Sequence, residues 1–292
     1  MNRFLTAAVI AAIASTCGVI QAQITIDATK DTGIFGAGFD NGVPGFTSRN
    51  LGAHTHAPVG RANSDRINRG LFEFDIAGSV PAGSTIATAV FEFEVTQQGG
   101  VQGTGADDFD LHEVTTPWLE GTGFGNIGED TFDGASYAST DGTASWTVLG
   151  GDFTATPLGS VFVEGPDGAG AGEAPIVFQI TSPALASYVQ DVLDGVAPNN
   201  GLLLKAATES VLGSASRVTT REGGNASKLI VTLGGGFILG DVNMDGEVNL
   251  LDVGPFVTLL TTSTFQEEGD INGDGVVNLL DVGPFVDILT GG

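Results

Sequence analysis

The sequence predicts a mainly β chain, a jelly-roll β-sandwich followed by a small α-helical module built from a duplicated segment. Three observations predict it. Leu71-Phe72-Glu73-Phe74-Asp75-Ile76 and Ala89-Val90-Phe91-Glu92-Phe93-Glu94-Val95 alternate apolar and polar residues, the period of a half-buried antiparallel strand. Glycine-rich turns separate many such short runs, which argues for a sandwich or barrel. Residues 240–261 and 269–290 align without a gap, 29 apart, with 17 of 22 positions identical. A repeat this strict means two copies of one unit, packed with pseudo-two-fold symmetry.

Residues 1–22 read as a secretory signal peptide. Met1-Asn2-Arg3 is a short basic start, Phe4 to Ile20 is an uncharged apolar run, and Ala22 is the small residue at the cut. A transmembrane anchor would need about 20 apolar residues. A lipoprotein reading through Cys17 fits poorly with Thr16 before the cysteine. The expected location is secreted, extracellular or cell-surface, with no membrane insertion after cleavage. Cleavage also removes the only Cys, so no disulfide forms although the compartment would permit one.

Residues 23–235 read as the β domain. Besides the two alternating runs, strands are expected at Ile24–Ala28, Phe109–Val114, Ile176–Thr181, Leu202–Ala206 and Leu229–Leu233, with a turn at Val80-Pro81-Ala82-Gly83. Jelly-roll pairing would remove most exposed edges. One helix is expected after Ser182-Pro183, with Leu185, Tyr188, Val189, Val192 and Leu193 at helical spacing and Gly195 closing it. Residues 121–143 and 164–174 lack periodicity and read as long loops. Gly234-Gly235-Gly236 ends the domain as a linker, and residues 236–292 form the second domain.

The charge narrows the partners. With 35 acidic and 10 basic residues the net charge is −25, which excludes nucleic acid, whose recognition needs clustered Lys and Arg. Anionic lipid would repel the same surface. At 41% hydrophobic residues there is material for a core, so wholesale disorder is excluded.

Each repeat holds the pattern D-x-N-x-D-G-x-x-N-x-x-D, an EF-hand-like loop ending in Asp instead of Glu. Calcium takes six to eight hard oxygen ligands, and a twelve-residue loop brings positions 1, 3, 5, 7, 9 and 12 around one point. In the first loop these are Asp241, Asn243, Asp245, the carbonyl of Glu247, Asn249 and Asp252. In the second they are Asp270, Asn272, Asp274, the carbonyl of Val276, Asn278 and Asp281. Gly246 and Gly275 occupy the sharp-turn position. Residues 240–292 carry ten Asp and Glu and no Lys or Arg. Without a cation they repel one another, and so short a segment builds no self-sufficient core.

This tail resembles a type I dockerin. The resemblance implies two loop–helix units, two calcium ions and docking onto a cohesin-type partner or cell-surface scaffold. It also implies that positions 10 and 11 of each loop meet that partner. Here those positions are Leu250-Leu251 and Leu279-Leu280, where cellulosomal members usually carry a hydroxyl residue, so the implied contact is hydrophobic. One leucine of each pair is expected to be partly buried, position 10, and the other partly exposed, position 11. The alternative packs leucines between the helices with Phe256, Val257, Phe285 and Val286.

The large domain is similar to the DNRLRE domain. The residues that carry the similarity are Asn68-Arg69-Gly70-Leu71-Phe72-Glu73-Phe74-Asp75-Ile76, Pro81-Ala82-Gly83-Ser84-Thr85-Ile86, Trp118-Leu119-Glu120-Gly121-Thr122, and the late Ser216-Arg217 and Thr220-Arg221-Glu222. The resemblance implies a secreted β jelly roll related to carbohydrate-binding modules.

Trp118 and Trp146 are candidate sugar-stacking platforms, with burial in the core as the competing reading. His54 and His56 lie on one side of an extended chain and are candidate metal ligands, set against a solvated loop. His112 reads as a strand surface residue. Arg66, Arg69, Arg217 and Arg221 read as charge-paired structural residues. No Ser sits in a G-x-S-x-G elbow, and no catalytic module is left over once the jelly roll is placed. The expected function is a secreted non-catalytic protein that binds glycan or matrix and attaches through its tail, in the setting of polysaccharide catabolism. One alternative is a small glycosidase or lyase using acids of the 105–135 loops, and another a purely structural surface protein.

Overall fold

The computed structural model describes residues 23–36, 46–98, 107–125, 132–163, 175–234, 238–243 and 247–291. The expected signal peptide therefore lies outside the described residues. The chain divides into two compact units, Ala22–Gly234 and one that holds Gly235–Gly292.

The first unit is mainly β. Its strands are β1 (Gln23–Phe35), β2 (His56–Arg61), β3 (Ile67–Phe74), β4 (Thr85–Gln98), β5 (Asp107–Glu113), β6 (Gly159–Val163), β7 (Ile176–Thr181), β8 (Leu202–Ala206), β9 (Ser216–Thr219) and β10 (Lys228–Gly234). The order β1-β10-β4-β9-β2-β3 returns to β1, so six strands close a ring. From β3 the sheet runs on through β8, β5 and β6, and β7 pairs residues 90–95 of β4, next to the stretch that pairs β9. Two strands close the ring by changing partners along their length. Residues 23–27 of β1 pair β10, and residues 28–35 pair β3 after an irregularity between Ala28 and Lys30. Such a bulge bends and twists a strand, turning β1 from one sheet into the next. Residues 56–59 of β2 pair β9 and residues 60–61 pair β3. At the switch Gly60 has φ +106°, and a Cβ there would lie 2.7 Å from the carbonyl oxygen of Ser214, so glycine alone fits.

The alternating runs fall inside β3 and β4, with one difference. Ile76 leaves the strand and opens a single helical turn, α1 (Ile76–Ser79), because the Asp75 side chain accepts the Gly78 N–H at 3.0 Å. The turn expected next closes with Ser84 N–H on the Pro81 carbonyl. The expected helix is α2 (Pro183–Leu193), capped by the Ser182 hydroxyl on the Leu185 N–H and followed by Gly195 at φ +70°. It buries Leu185, Tyr188, Val189 and Val192 in the main core, alongside Phe72, Phe74, Phe91 and Phe93. The aromatic centroids there are 5.3 Å apart for Phe72–Phe91 and 5.5 Å for Phe91–Phe93, in the range of favourable ring pairs.

A second core lies on the other face of the β1–β3–β8 sheet. Ile34, Leu71 and Leu203 point there, and Val114, Trp118, Ala135 and Trp146 of the long 114–153 segment cover them. This sheet is buried on both faces, which accounts for the unbroken Leu202-Leu203-Leu204 run of β8.

In the second unit the helices are α3 (Val253–Thr262) and α4 (Val282–Thr290). Each begins directly after its loop, and Pro255 and Pro284 fall in the first turn, where the missing N–H costs nothing. Val242, Phe256, Leu259, Ile271, Val277 and Phe285 form the core of this unit. Val257 and Val286 are half exposed and do not join it.

Candidate functional site

The two loops of the tail are built alike. Asp252 Oδ1 accepts the Asn243 N–H at 3.0 Å and Oδ2 the Asn249 N–H at 2.8 Å. Asp281 accepts from Asn272 and Asn278 at the same two distances. The last residue of each loop thus ties its position 3 to its position 9 in both copies. Asn249 and Asn278 each accept the N–H of a leucine two residues on, at 2.8 Å. In the second loop Asp270 gathers the N–H groups of Asp274 and Gly275 at 3.0 and 2.7 Å. Asn272 and Asp274 accept the N–H groups of Asp274 and Val276 in turn. Gly275 has φ +87°, the left-handed turn expected of it. Asp245 and Gly246 lie outside the described residues.

The burial of the acids is what asks for a cation. Asp252 and Asp281 are 0% exposed, and Asp241 and Asp270 are buried too. The tail has no Lys or Arg to pair with them, and a buried carboxylate without a countercharge is costly. Every donor brought to the loops is a carboxylate, an amide or a backbone oxygen, the hard set that calcium takes. The chemistry of the residues fits the ion.

The leucine pairs overturn one expectation. Leu250 and Leu279 are 81% and 80% exposed, and Leu251 and Leu280 are 69% and 68% exposed. Position 10 is therefore not buried, and it stands further out than position 11. The N–H bond from each position 11 to the loop's Asn turns both leucines away from the helices. Their near-equal exposure places the two pairs equivalently in the two repeats.

Residues 239–283 match the dockerin type I domain. The dockerin tail is thus a domain of a type that binds calcium and attaches to a cohesin partner. No curated protein matches the chain. Among the described residues no helix is long and apolar enough to cross a membrane.

Away from the dockerin, the structure corrects several residues. Trp118 and Trp146 are 3% and 4% exposed, so neither presents a ring face to a sugar. Their Nε1 groups donate to the carbonyls of Asn200 and Ser136 at 2.9 and 2.8 Å, which anchors the 114–153 segment over the second core. His112 is buried, not on the strand surface. It bonds the Thr154 carbonyl through Nδ1 at 2.8 Å and lies against Phe153. Along that face of β5 Asp108 is exposed and Asp110 half-buried, and only the His112 end is covered, where Phe153 lies against it.

His54 and His56 are half-buried, with ring centroids 4.1 Å apart. They line a cleft of about 270 Å³ together with Arg66, Asn68, Ser216 and Arg217. Burial, reinforced by the charges of His54 and Arg217, holds the His56 imidazole down at about 3. Asn68 Oδ1 and Ser216 Oγ are buried with no hydrogen-bond partner among the described residues.

Two arginines are the structural pairs expected of them. Arg69 forks Glu209 at 2.7 and 2.8 Å and donates a third bond to the Gly150 carbonyl. Arg221 donates to both oxygens of Glu120 at 2.7 Å. Arg66 donates to Ser64 and lies over the Phe35 ring. Arg217 reaches no carboxylate among the described residues. Sequence reasoning did not single out Glu209 or Asp31, which meets this network at the Arg221 N–H. Their partners are far away in sequence, and no local spacing signals them.

Proposed function

We propose that this is a secreted, non-catalytic protein whose dockerin tail, loaded with two calcium ions, attaches it to a cohesin-type partner through Leu250, Leu251, Leu279 and Leu280. The observation that carries this reading is the exposure of all four leucines at matching places in the two repeats. Exposed apolar pairs at a loop end are costly in isolation and gain by being covered. Asp241, Asn243, Asp245, Glu247, Asn249 and Asp252 would hold one ion, and the six equivalent positions from Asp270 to Asp281 the other. The ions balance the buried carboxylates and so fix the loops that present the leucines.

The β domain is proposed as the DNRLRE-type jelly roll, carrying a glycan or matrix ligand to the assembly in polysaccharide catabolism. The sequence resemblance supports this. With Trp118 and Trp146 in the core, the ligand surface is assigned instead to the cleft that gathers His54, His56, Arg66 and Arg217.

The test is binding of the full-length protein to immobilised cohesin modules, with calcium and with chelator. Binding is expected only with calcium. Changing Leu250 and Leu251 to Ser is expected to leave it nearly intact, because the second repeat substitutes for the first. Changing all four leucines is expected to abolish it while leaving the helical signal unchanged. Full binding by the fourfold variant would overturn the assignment.

A further inference from the structure

We propose that Asp31, Glu120 and Glu222 form a calcium site in the β domain, separate from the two loops of the dockerin.

The three residues come from β1, from the long segment after β5, and from the 3-10 turn Arg221–Gly223. Each offers a carboxylate oxygen, and the three oxygens lie within 4.8 Å of one another. Their surroundings hold them there. The Asp31 N–H donates to Glu120 Oε1 at 2.8 Å, and Asp31 Oδ2 accepts the Arg221 N–H at 2.9 Å. The buried amide of Asn50 bonds the Glu120 carbonyl and so fixes the peptide that carries the side chain.

Asp31 points to a missing ligand. It is 0% exposed, and its Oδ1 has no hydrogen-bond partner among the described residues. A buried acceptor left without a partner is costly, and more so when it is charged. The protein supplies one guanidinium to the cluster, that of Arg221, which forks Glu120 and reaches Glu222 at 3.3 Å. Three carboxylates against one guanidinium leave two negative charges, the number a divalent ion balances.

The donor chemistry selects the ion. Carboxylate oxygens suit magnesium, calcium and manganese, not the softer metals. Magnesium demands near-ideal octahedral geometry and keeps its waters, whereas calcium accepts irregular sites. Three acids from distant segments, two of them shared with an arginine, are an irregular site. Bound calcium would tie β1, the segment over the second core and the turn before β10 together, in a domain that has no disulfide.

Terbium luminescence in the full-length protein tests this, with terbium as the probe and calcium as competitor. The dockerin has no Trp or Tyr, and Trp118 stands two residues from Glu120, so emission excited through tryptophan reads the β domain. Emission is expected, displaced by calcium and retained when Asp241 and Asp270 are both changed to Ala. Glu222→Gln is expected to weaken it at least roughly tenfold, a loss that even outer partners of a metal site cause. The isosteric Asp31→Asn gives a second reading should Glu222→Gln fail to fold. No sensitised emission, emission unchanged in both variants, or emission lost with the two loop changes would each overturn the proposal. None of these results bears on cohesin binding, so the two readings fail separately.

Discussion

Phe256 and Phe285 stack with ring centroids 4.2 Å apart and planes 24° from parallel. They stand 29 positions apart, at the same place in the two repeats, so the rings meet where the two copies pack. Each repeat completes the other's core, and neither loop–helix unit buries its own phenylalanine alone.

Phe285→Ala is expected to remove about 3–5 kcal/mol of packing from a unit with little to spare. Metal binding and folding share one free energy in such modules, so the variant needs more calcium to reach the same helical signal. Titration followed by far-UV circular dichroism measures this, and an unchanged midpoint would show that the stack does not hold the repeats together.

The Arg69–Glu209 pair should behave as a buried ion pair. Its side chains are 10% and 13% exposed, and removing one partner strands the other. Glu209→Ala is expected to lower β-domain stability by about 3–5 kcal/mol. Urea denaturation of the two proteins gives the difference, and a loss below about 1 kcal/mol would place the pair with solvent-screened surface bridges.

Trp118→Ala and Trp146→Ala should each cost about 3–5 kcal/mol, as large core truncations do. Thermal unfolding checks it. Wild-type stability in either variant would return that tryptophan to the surface.

His56 sets a pH dependence whose sign follows from its burial. Folded, its imidazole titrates at about 3, against an ordinary value of 6.5. Between those values the unfolded chain binds a proton that the folded chain refuses, so stability rises with pH across the window and is fully present above it. His56→Gln is expected to lose less stability than the wild type between pH values of about 7 and 4. Parallel losses in urea melts at the two pH values would remove His56 as the cause.

The dockerin was legible in the sequence because its ligands and turns lie within twelve residues of one another and its core positions repeat at a fixed interval. Helix α2 and the runs in β3 and β4 were legible for the same reason, since capping and alternation are set by near neighbours. The short strands β2, β6 and β9 were not. They are less apolar than the equally short β7 and β8, and their pairing is non-local: β2 and β9 pair where the ring closes, and β6 pairs β5 at the end of the run beyond it. The leucine exposures were not legible either, because a backbone bond at position 11 decides where those side chains turn. Trp118, Trp146 and His112 depended on a long segment folding over the outer face of a sheet, and that covering decides whether an alternating residue meets water or core. Asp31 meets Glu120 across 89 residues and Arg221 across 190. Local physical chemistry determined which segments become strand, loop or helix. Only the register of distant strands decided which charges share one buried point.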